Sequence, residues 1–492
     1  MVTSPAVVGN DEPCNGTAVG FEGAALESVT MGHDHEDRPS KRPRRPETLS
    51  AAPGLADLPL AAITAWFLPA DCKALPCISK GQRSSCRKEC PSLDLARGNA
   101  RVHSRDVHMI ARAGYFRVDS AWLERDISDM GLDAVASLDG FANGIRTLCL
   151  HGSKQITRSS PLGLCTKLVS LDLSWCARLA SVDGLAGCGS LRMLSLTECN
   201  RLTNVSGLSG CGQLQTLYLT WCERLADITG LSGCPRLQML HLTGCAWVSS
   251  LKGLSSCGSL QTLNLSKVPK LSDLSELAGC AGLCSLNVSD CSRLADVSAL
   301  GGCSALKQLD LSGCARLAAV SGLGSCSSLR KVDLSGCGNL VDVSSLGSCG
   351  ALEELDLSNS VKLVDVSALG LCAKLRDLDL FNCARIESVS GLGGCHALTT
   401  LNLSGCRRLK DVAGLATCVN LEWLDLSVCD NLEDVSYLRS CKKLTSINLS
   451  NCRRLPDIRE LAGCEELHML NLDGTTSERA LESGPMPMAP PP

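Results

Sequence analysis

Aromatic residues, net charge and long apolar runs are all scarce in this sequence. Aromatic side chains make up 3% of its 492 residues, so the core is expected to be aliphatic. The formal net charge of −4 offers no overall basic field, so no nucleic-acid partner is expected. No apolar run approaches the roughly 20 residues that span a bilayer, and no membrane partner is expected either.

The amino terminus lacks the basic start and apolar core of a secretory signal peptide. The chain nevertheless carries 32 cysteines. Cysteines in this number without a secretory signal favour a reducing, intracellular compartment and free thiols. We therefore expect a cytoplasmic protein, and the basic cluster from Lys41 to Arg45 is typical of a nuclear import signal.

The dominant feature of the sequence is a strict period of 23 residues. Fourteen cysteines mark it without a gap, from Cys165 to Cys464. The consensus, read from Leu191, is L-x-x-L-x-L-x-x-C-x-x-L-x-x-V-x-x-L-x-x-C-x-x. Alternation at Leu194 and Leu196 predicts a short strand, and apolar positions every three residues after it predict a 3₁₀ turn. This self-similarity predicts a solenoid with a parallel concave sheet and narrow convex turns.

Composition and periodicity divide the chain into five parts. Residues 1–53 are predicted to be disordered, and residues 54–118 to form a small helical segment. Residues 119–144 resemble an imperfect first coil that caps the array. The repeats then run over residues 145–474, and residues 475–492 are predicted to be a disordered, Pro-rich tail.

The repeat consensus resembles the leucine-rich repeat superfamily. Its first half, from Cys188 to Leu202, is similar to the cysteine-containing subclass found in F-box/leucine-rich-repeat proteins, whereas its shorter second half is similar to the compact internalin type. The resemblance implies an α/β repeat solenoid, a horseshoe of 23-residue coils, that recognises a protein partner on its concave face.

The segment at 54–118 is similar to an F-box, with a Leu-Pro start followed by short amphipathic helices. This resemblance implies a substrate receptor of an F-box-type ubiquitin ligase, acting in ubiquitin-dependent protein catabolism. The residues that would dock the ligase adaptor are Leu58, Pro59, Phe67, Leu68 and Ile78. The alternative is a free-standing interaction scaffold, or a regulatory subunit of a signalling enzyme such as a cyclase or phosphatase.

Aspartates dominate part of the concave face. Four carboxylates align at one outward strand position on neighbouring strands, which lie about 4.8 Å apart: Asp310, Asp333, Asp356 and Asp379. Because like charges this close repel, a basic partner segment is expected to contact them. The alternative is that Asp and Asn at this position order the adjacent turn.

Exposed aromatic residues mark the other candidate partner site. Trp and Tyr side chains are typical interface anchors, and the consensus places these residues at outward or loop positions. We expect one patch from neighbouring coils, with a further anchor later in the array: Trp175, Tyr218, Trp221 and His241, then Trp423.

Two cysteine columns invite a metal or redox interpretation. The first column is the 23-residue series of cysteines that begins at Cys165. The second column includes Cys176 and Cys199 and is interrupted at Ser153, Val268 and Ser360. The repeats contain no C-x-x-C pair, so we interpret both columns as packing, with the thiols of the second serving backbone carbonyls.

Metal and catalytic sites find little support in the sequence. An alternative zinc site, whose spacings fit no common template, would use Cys72, Cys77, Cys86, Cys90, His103 and His108. The chain contains no nucleophile–base pair, phosphate loop or metal triad. We therefore expect no catalytic residue, no metal ligand, no cofactor and no enzymatic activity.

A ladder of charges follows the second cysteine column. A basic residue usually precedes the next leucine, as at Arg224 and Arg293, and an aspartate often follows three residues later, as at Asp227 and Asp296. We interpret these residues as exposed ion pairs worth roughly 0–1 kcal/mol each.

Overall fold

The computed structural model describes residues 101–102, 120–123, 127–137 and 139–476. The predictions for residues 1–53, for the adaptor-docking residues and for the basic cluster therefore lie outside the described residues. Within 54–118 only Arg101–Val102 is described, and it is a short strand. Of the predicted tail, only the two residues 475–476 are described.

Each coil begins with a strand of three residues, as at Met193–Ser195. The middle residue, Leu194, is fully buried, whereas Met193 and Ser195 face outward and are half-buried. This alternation is the period of two that a strand imposes on its side chains, so one short run supplies both core and concave surface.

The strands form one parallel sheet of seventeen members in the described residues, paired in chain order with each residue opposite its counterpart in the next coil. In chain order, β1 to β17 are Arg101–Val102, Ser120–Leu123, Thr147–Cys149, Ser170–Asp172, Met193–Ser195, Thr216–Tyr218, Met239–His241, Thr262–Asn264, Ser285–Asn287, Gln308–Asp310, Lys331–Asp333, Glu354–Asp356, Asp377–Asp379, Thr400–Asn402, Trp423–Asp425, Ser446–Asn448 and Met469–Asn471.

Short 3₁₀ helices form the convex side, as the spacing of three predicts. The predicted horseshoe with a parallel sheet and narrow turns is therefore confirmed. Their bounds are Ser160–Leu164, Asp183–Gly187, Ser206–Gly210, Thr229–Gly233, Leu254–Ser256, Ser275–Gly279, Ser298–Gly302, Ser321–Ser325, Ser344–Ser348, Ser367–Leu371, Ser390–Gly394, Ala413–Thr417, Ser436–Ser440 and Arg459–Gly463.

Glycine lets these convex turns pack closely. A Cβ placed on Gly207 would lie 2.0 Å from the carbonyl oxygen of Val182, and one on Gly210 would lie 2.1 Å from that of Ala186. Both distances are far inside van der Waals contact, so a side chain at either position would force neighbouring coils apart.

Among the residues that the structure describes, two α-helices precede the array, α1 (Asp129–Ala136) and α2 (Asp139–Ala142). The side chain of Ser128 caps α1 by accepting the N–H of Gly131 at 3.3 Å, and β2 pairs in parallel with β3. The described part of 119–144 thus continues the sheet. No helix in the described residues is long and apolar enough to cross a membrane.

Thr475 and Thr476, just past the predicted end of the array at residue 474, are hydrogen-bonded to its last turn. Thr475 is buried, and its N–H donates to the carbonyl of Leu472 at 3.0 Å. The hydroxyl of Thr476 donates to the carbonyl of Leu455 in the preceding coil. Both residues therefore complete the last turn of the array.

The thiols of both cysteine columns donate to main-chain carbonyls. Cys199 in the second column reaches the carbonyl of Leu173 at 3.2 Å, as predicted, and Cys188 in the first column reaches that of Leu162 at 3.2 Å. Each acceptor lies 26 residues earlier, in the preceding coil. The matching role of the first column was not predicted, because we interpreted those thiols as packing alone.

The serines that interrupt the second column do not replace its hydrogen bonds. Ser153 and Ser360 are fully buried, and neither hydroxyl has a partner in the described residues. A C–O bond is shorter than a C–S bond, so the hydroxyl cannot reach the carbonyl that a thiol reaches. Each serine leaves a local fault in an otherwise regular core.

The aspartates of the charge ladder have a different role from the one predicted. Asp273 and Asp296 each accept the backbone N–H two residues ahead, at 2.8 Å, where a 3₁₀ helix begins. Two ladder arginines instead approach glutamates of the preceding coil, Arg408 approaching Glu387 at 3.7 Å and Arg454 approaching Glu433 at 3.5 Å. The Arg–Asp pairing was wrong because a short carboxylate is captured by its own turn.

Candidate functional site

The concave face is built from the outward residues of the strands and from the residues just beyond them. The residue before each second-column position has a left-handed backbone, with φ between 57° and 77°. Where this residue is not glycine, its side chain therefore turns outward at the edge of the sheet. These residues are Gly152, Trp175, Glu198, Trp221, Gly244, Lys267, Asp290, Gly313, Gly336, Asn359, Asn382, Gly405, Val428, Asn451 and Gly474.

Tyr218 and His241 occupy the same outward position on β6 and β7. Their rings stack with centroids 5.1 Å apart and planes inclined by 26°. The hydroxyl of Tyr218 donates to the sulfur of Met239 at 3.7 Å. Burial lowers the pKa of His241, so the imidazole is neutral at pH 7 and the pair forms an uncharged surface.

Trp175 and Trp221 lie at the edge of this surface, in the left-handed column. They are 51% and 43% exposed. A left-handed φ costs a residue with a Cβ roughly 1 kcal/mol, which makes two tryptophans there unusual. We call Trp175, Tyr218, Trp221 and His241 the aromatic cluster; among the described residues only Tyr218 and His241 of this set stack on each other.

Trp423 lies far from the aromatic cluster, on β15. It faces outward between Thr400 and Ser446 of the adjacent strands and is 36% exposed. Trp247 belongs to the charge ladder instead, and the ammonium of Lys270 sits 3.3 Å from the centre of its ring. The tryptophans that the described part of the chain exposes thus lie in three separate places.

The four predicted aspartates lie in strict register across β10 to β13. We call Asp310, Asp333, Asp356 and Asp379 the acidic row. One oxygen of each carboxylate accepts the backbone N–H two residues ahead, at 2.7 to 3.0 Å. The turn-ordering role is therefore present in all four, and it occupies half of each carboxylate.

The second oxygens of the acidic row differ along its length. Asparagine side chains of flanking strands donate to Asp310 from Asn287 at 2.8 Å and to Asp379 from Asn402 at 3.3 Å. No asparagine side chain donates to Asp333 or Asp356 in the described residues. Burial raises the pKa of Asp356; hydrogen bonds from Ser358 oppose this rise, and repulsion from Asp333 and Asp379 adds to it.

Ion pairs beside the acidic row neutralise part of its field. Lys331 pairs with Glu354 of the next strand, and Arg330 pairs with Glu353 at 2.8 Å. Asp377, on the same outward column as Lys331 and Glu354, has no ion pair in the described residues. The centre of the row therefore keeps an excess of negative charge.

Several residues of this face were not predicted as site residues. Met193 and Met239 place apolar side chains beside the aromatic cluster, and Asn287 and Asn402 bind the ends of the acidic row. The 23-residue register could have identified all four: Met193 and Met239 lie two residues before the predicted outward column, and Asn287 and Asn402 lie on it. Gly244 was also missed, because a glycine signals a turn and not a contact. No cluster of metal-ligating side chains occurs in the described part of the chain.

Two family models match parts of the array. A model of two leucine-rich repeats matches residues 373–417. A model of the leucine-rich repeat domain of the endo-beta-N-acetylglucosaminidase EndoS matches residues 216–337. No curated protein matches the chain in a sequence search. With the fold described above, these matches show that the array is a leucine-rich-repeat solenoid, and the predicted superfamily is confirmed.

Solved structures with the same fold include a leucine-rich repeat protein of Leptospira interrogans, which is 20% identical with a TM-score of 0.52; the match covers 69% of this chain and 94% of that one. The TLR13–ssRNA13 complex is 19% identical with a TM-score of 0.50 over 73% of this chain and 58% of TLR13. An internalin of Listeria monocytogenes is 24% identical with a TM-score of 0.49, covering 60% and 84%. The first two likenesses show the fold alone.

Leucine-rich repeat solenoids in general serve as protein-interaction modules. Their stacked coils create an extended concave surface, on which outward residues vary while the core repeats. In this chain the aromatic cluster and the acidic row occupy that surface.

Proposed function

We propose that this chain is a non-enzymatic protein-recognition module, whose protein partner covers the concave face. The partner stacks apolar groups on the aromatic cluster and lays a basic segment along the acidic row. Trp423 provides a further anchor toward the carboxyl-terminal end. The observation that carries the proposal is the contrast between an invariant core and outward positions with two distinct chemistries, exposed aromatic rings and aligned carboxylates.

Two tryptophan variants, one on the concave edge and one outside it, test whether the partner binds the aromatic cluster. The partner is captured with the full chain and identified by mass spectrometry, and its affinity is then measured for W175A/W221A and for W247A. Trp247 is as exposed as the two concave-edge tryptophans, but it lies on the charge ladder. We expect a loss of affinity in the first variant alone. Equal affinities of the two variants would contradict binding of the partner on the concave face.

The acidic row has an equally close control. Asn retains a side-chain oxygen for the turn, so D310N/D333N/D356N/D379N removes four charges without removing the turn bonds. The control D342N/D365N/D411N/D434N makes the same change at the 3₁₀ starts, where each aspartate also accepts an N–H two residues ahead. Only the first variant is expected to weaken a basic partner.

The more specific form of this proposal is a substrate receptor of an F-box-type ubiquitin ligase. Its support is the order of parts in the sequence, with the F-box-like segment at 54–118 placed before cysteine-containing repeats. In this proposal Leu58, Pro59, Phe67, Leu68 and Ile78 dock the adaptor while the solenoid holds the substrate. The alternative remains a free-standing scaffold or a regulatory subunit of a signalling enzyme.

A double dissociation separates these two functions. The full chain carrying L58A/P59A is expected to lose the ligase adaptor and to keep the concave partner. The full chain carrying W175A/W221A is expected to do the opposite. A wild-type chain that recovers its partner without any adaptor or cullin would remove the ligase proposal and leave the scaffold.

A further inference from the structure

Trp221 lies flat on the backbone of Gly244 in the next coil. A Cβ built on Gly244 would lie 2.3 Å from Cε3 of the indole and 2.7 Å from both Cδ2 and Cζ3. The six-membered part of the ring therefore fills the space that any side chain at 244 would need. With this part of the ring against Gly244, Trp221 remains 43% exposed, which leaves ring surface available to a partner.

Backbone geometry alone does not require glycine at 244. Its φ is 72°, but Glu198, Lys267 and Asn359 occupy the same position of their coils with φ between 57° and 59°. This chain therefore tolerates ordinary side chains in the left-handed column. What distinguishes position 244 is the ring resting on it.

We propose that Gly244 is a positioning residue for partner recognition, because its missing side chain is the seat on which Trp221 lies as a preformed stacking platform. The group that stacks on the open face is the ring of a proline in an extended segment of the protein partner. This part of the inference rests on the proposed function.

The platform has a physical advantage over a freely rotating tryptophan. Ordering a side chain at an interface costs about 0.5–1.5 kcal/mol, and contact with Gly244 orders the indole before the partner arrives. Proline suits such a surface because an extended proline-rich segment is itself stiff and docks on exposed aromatic faces. The outward residues of β6 and β7 are Thr216, Tyr218, Met239 and His241, and they carry no full charge that would favour an ionic group over an uncharged one.

The repeat supplies a control at the same position of another coil. Gly336 has φ of 70°, and a Cβ built there meets nothing closer than 3.6 Å. Asparagine is the natural replacement, because this chain uses it at the same position in Asn359, Asn382 and Asn451. G244N therefore displaces the ring of Trp221, whereas G336N changes a matched site with room for the side chain.

The experiment is ¹⁹F NMR on the full chain labelled with 5-fluorotryptophan. W221F assigns the resonance of Trp221 by its disappearance. We expect G244N to shift this resonance and to increase its H₂O/D₂O isotope shift, which reports exposure to solvent, while G336N leaves both unchanged. Thermal unfolding of the two variants checks that they are equally folded. An unchanged Trp221 resonance in folded G244N would overturn the positioning role.

The ligand class is tested with N-acetylproline methylamide as the probe. Titration should move the Trp221 resonance in the wild-type chain and in G336N, and much less in G244N. N-acetylalanine methylamide is the control without a ring. An equal response to both probes, or none, overturns the assignment of proline.

The two levels of the proposal fail in different ways. If G244N displaces the ring but W175A/W221A retains full affinity for the captured partner, the platform stands and the concave binding function falls. If G244N leaves the Trp221 resonance in place while W175A/W221A loses the partner, the concave function stands and the role of Gly244 falls.

Discussion

Two stretches of the same sheet, β5–β8 and β10–β13, differ in chemistry while sharing one backbone. The eight outward strand residues of β5–β8 carry no charge when His241 is neutral. Of the eight outward residues of β10–β13, only Gln308 is uncharged, and six are acidic. Register, strand length and burial of the middle residue are the same in both. Recognition in this fold is therefore decided by side chains that the core does not constrain.

The two stretches should also respond differently to solution conditions. Contacts with the aromatic cluster depend on apolar burial and are nearly independent of salt. Contacts with the acidic row weaken as salt screens charge over a Debye length of about 8 Å at physiological ionic strength. One partner bound at both places would show both behaviours, each removable by its own variant.

The largest expected effect separates the stretches through the tryptophans. W175A/W221A should cost about 2–4 kcal/mol of binding free energy, the range of interface hot spots. Because the lost contacts are apolar, the salt dependence of binding should stay as in the wild type. Isothermal calorimetry at two salt concentrations measures both quantities, and a change in salt dependence would contradict the division of the face.

The core beneath the two stretches is predicted to be equally strict. C188S should destabilise the array by about 1–3 kcal/mol, because a buried hydroxyl that cannot reach the carbonyl of Leu162 is left without a partner. C284S serves as the control, because the half-buried thiol of Cys284 donates to the carbonyl of Gly282 at an exposed site, where water can satisfy a hydroxyl. Urea unfolding followed by circular dichroism measures the difference, and equal midpoints for the two variants would argue against the thiol bonds.

The acidic row should contribute less than the tryptophans. Replacing all four aspartates by asparagine is expected to cost about 1 kcal/mol with a basic partner, since rim charges act mainly on association rate and salt dependence. Surface plasmon resonance at two ionic strengths should show a slower association and a flatter salt response. The matched set at the 3₁₀ starts should leave both unchanged.

A fault in the second stretch offers a stabilising change of similar or smaller size. In S360C the new thiol should donate to the carbonyl of Leu334, 26 residues earlier, and raise the unfolding free energy by about 0.5–1.5 kcal/mol. S360A separates two explanations, because it removes the unpaired hydroxyl without adding a bond. A gain in S360A as large as in S360C would assign the effect to the hydroxyl alone.

The smallest expected effect is a pH dependence centred on Asp356. Its pKa in the folded chain is above the ordinary 3.8, so its charge lowers stability at neutral pH, and this loss is relieved as pH falls through the folded-state pKa. D356N should therefore be more stable than the wild type at pH 7. The difference should shrink on acidification and vanish below pH 3.8, as urea unfolding across this range would reveal.

The fold was largely predictable because one residue type recurs at each position. Leu194 and its counterparts specify the buried middle of every strand, and the spacing of three from Leu202 specifies the 3₁₀ turn. Repetition averages out the ambiguity that a single strand of three residues would carry. The same averaging located the concave columns, and hence the acidic row and the aromatic cluster.

The missed features depend on contacts between coils that no single repeat encodes. The left-handed column was recognisable from Gly313 and Asn359, but tryptophan at 175 and 221 concealed it, since bulky residues rarely adopt that backbone. The Asp–Arg ladder was misread because a spacing of three suggested pairing, whereas Asp296 bonds its own turn. The contact between Trp221 and Gly244 was missed for the same reason, because it joins a glycine of one coil to a ring from another.

Alkylation of the buried thiols should also report where the solenoid opens locally. Burial raises the pKa of Cys188 to about 12, so about one thiol in 10⁵ is ionised at pH 7. Because the thiolate is the species that reacts, alkylation must wait until a coil separates from its neighbour and exposes its cysteine. The labelling rate of each cysteine would then report how often its coil opens. Within the two buried columns, Cys464 lies in the last coil and is already slightly exposed, so it should react first, and labelling should advance from there toward the middle of the array.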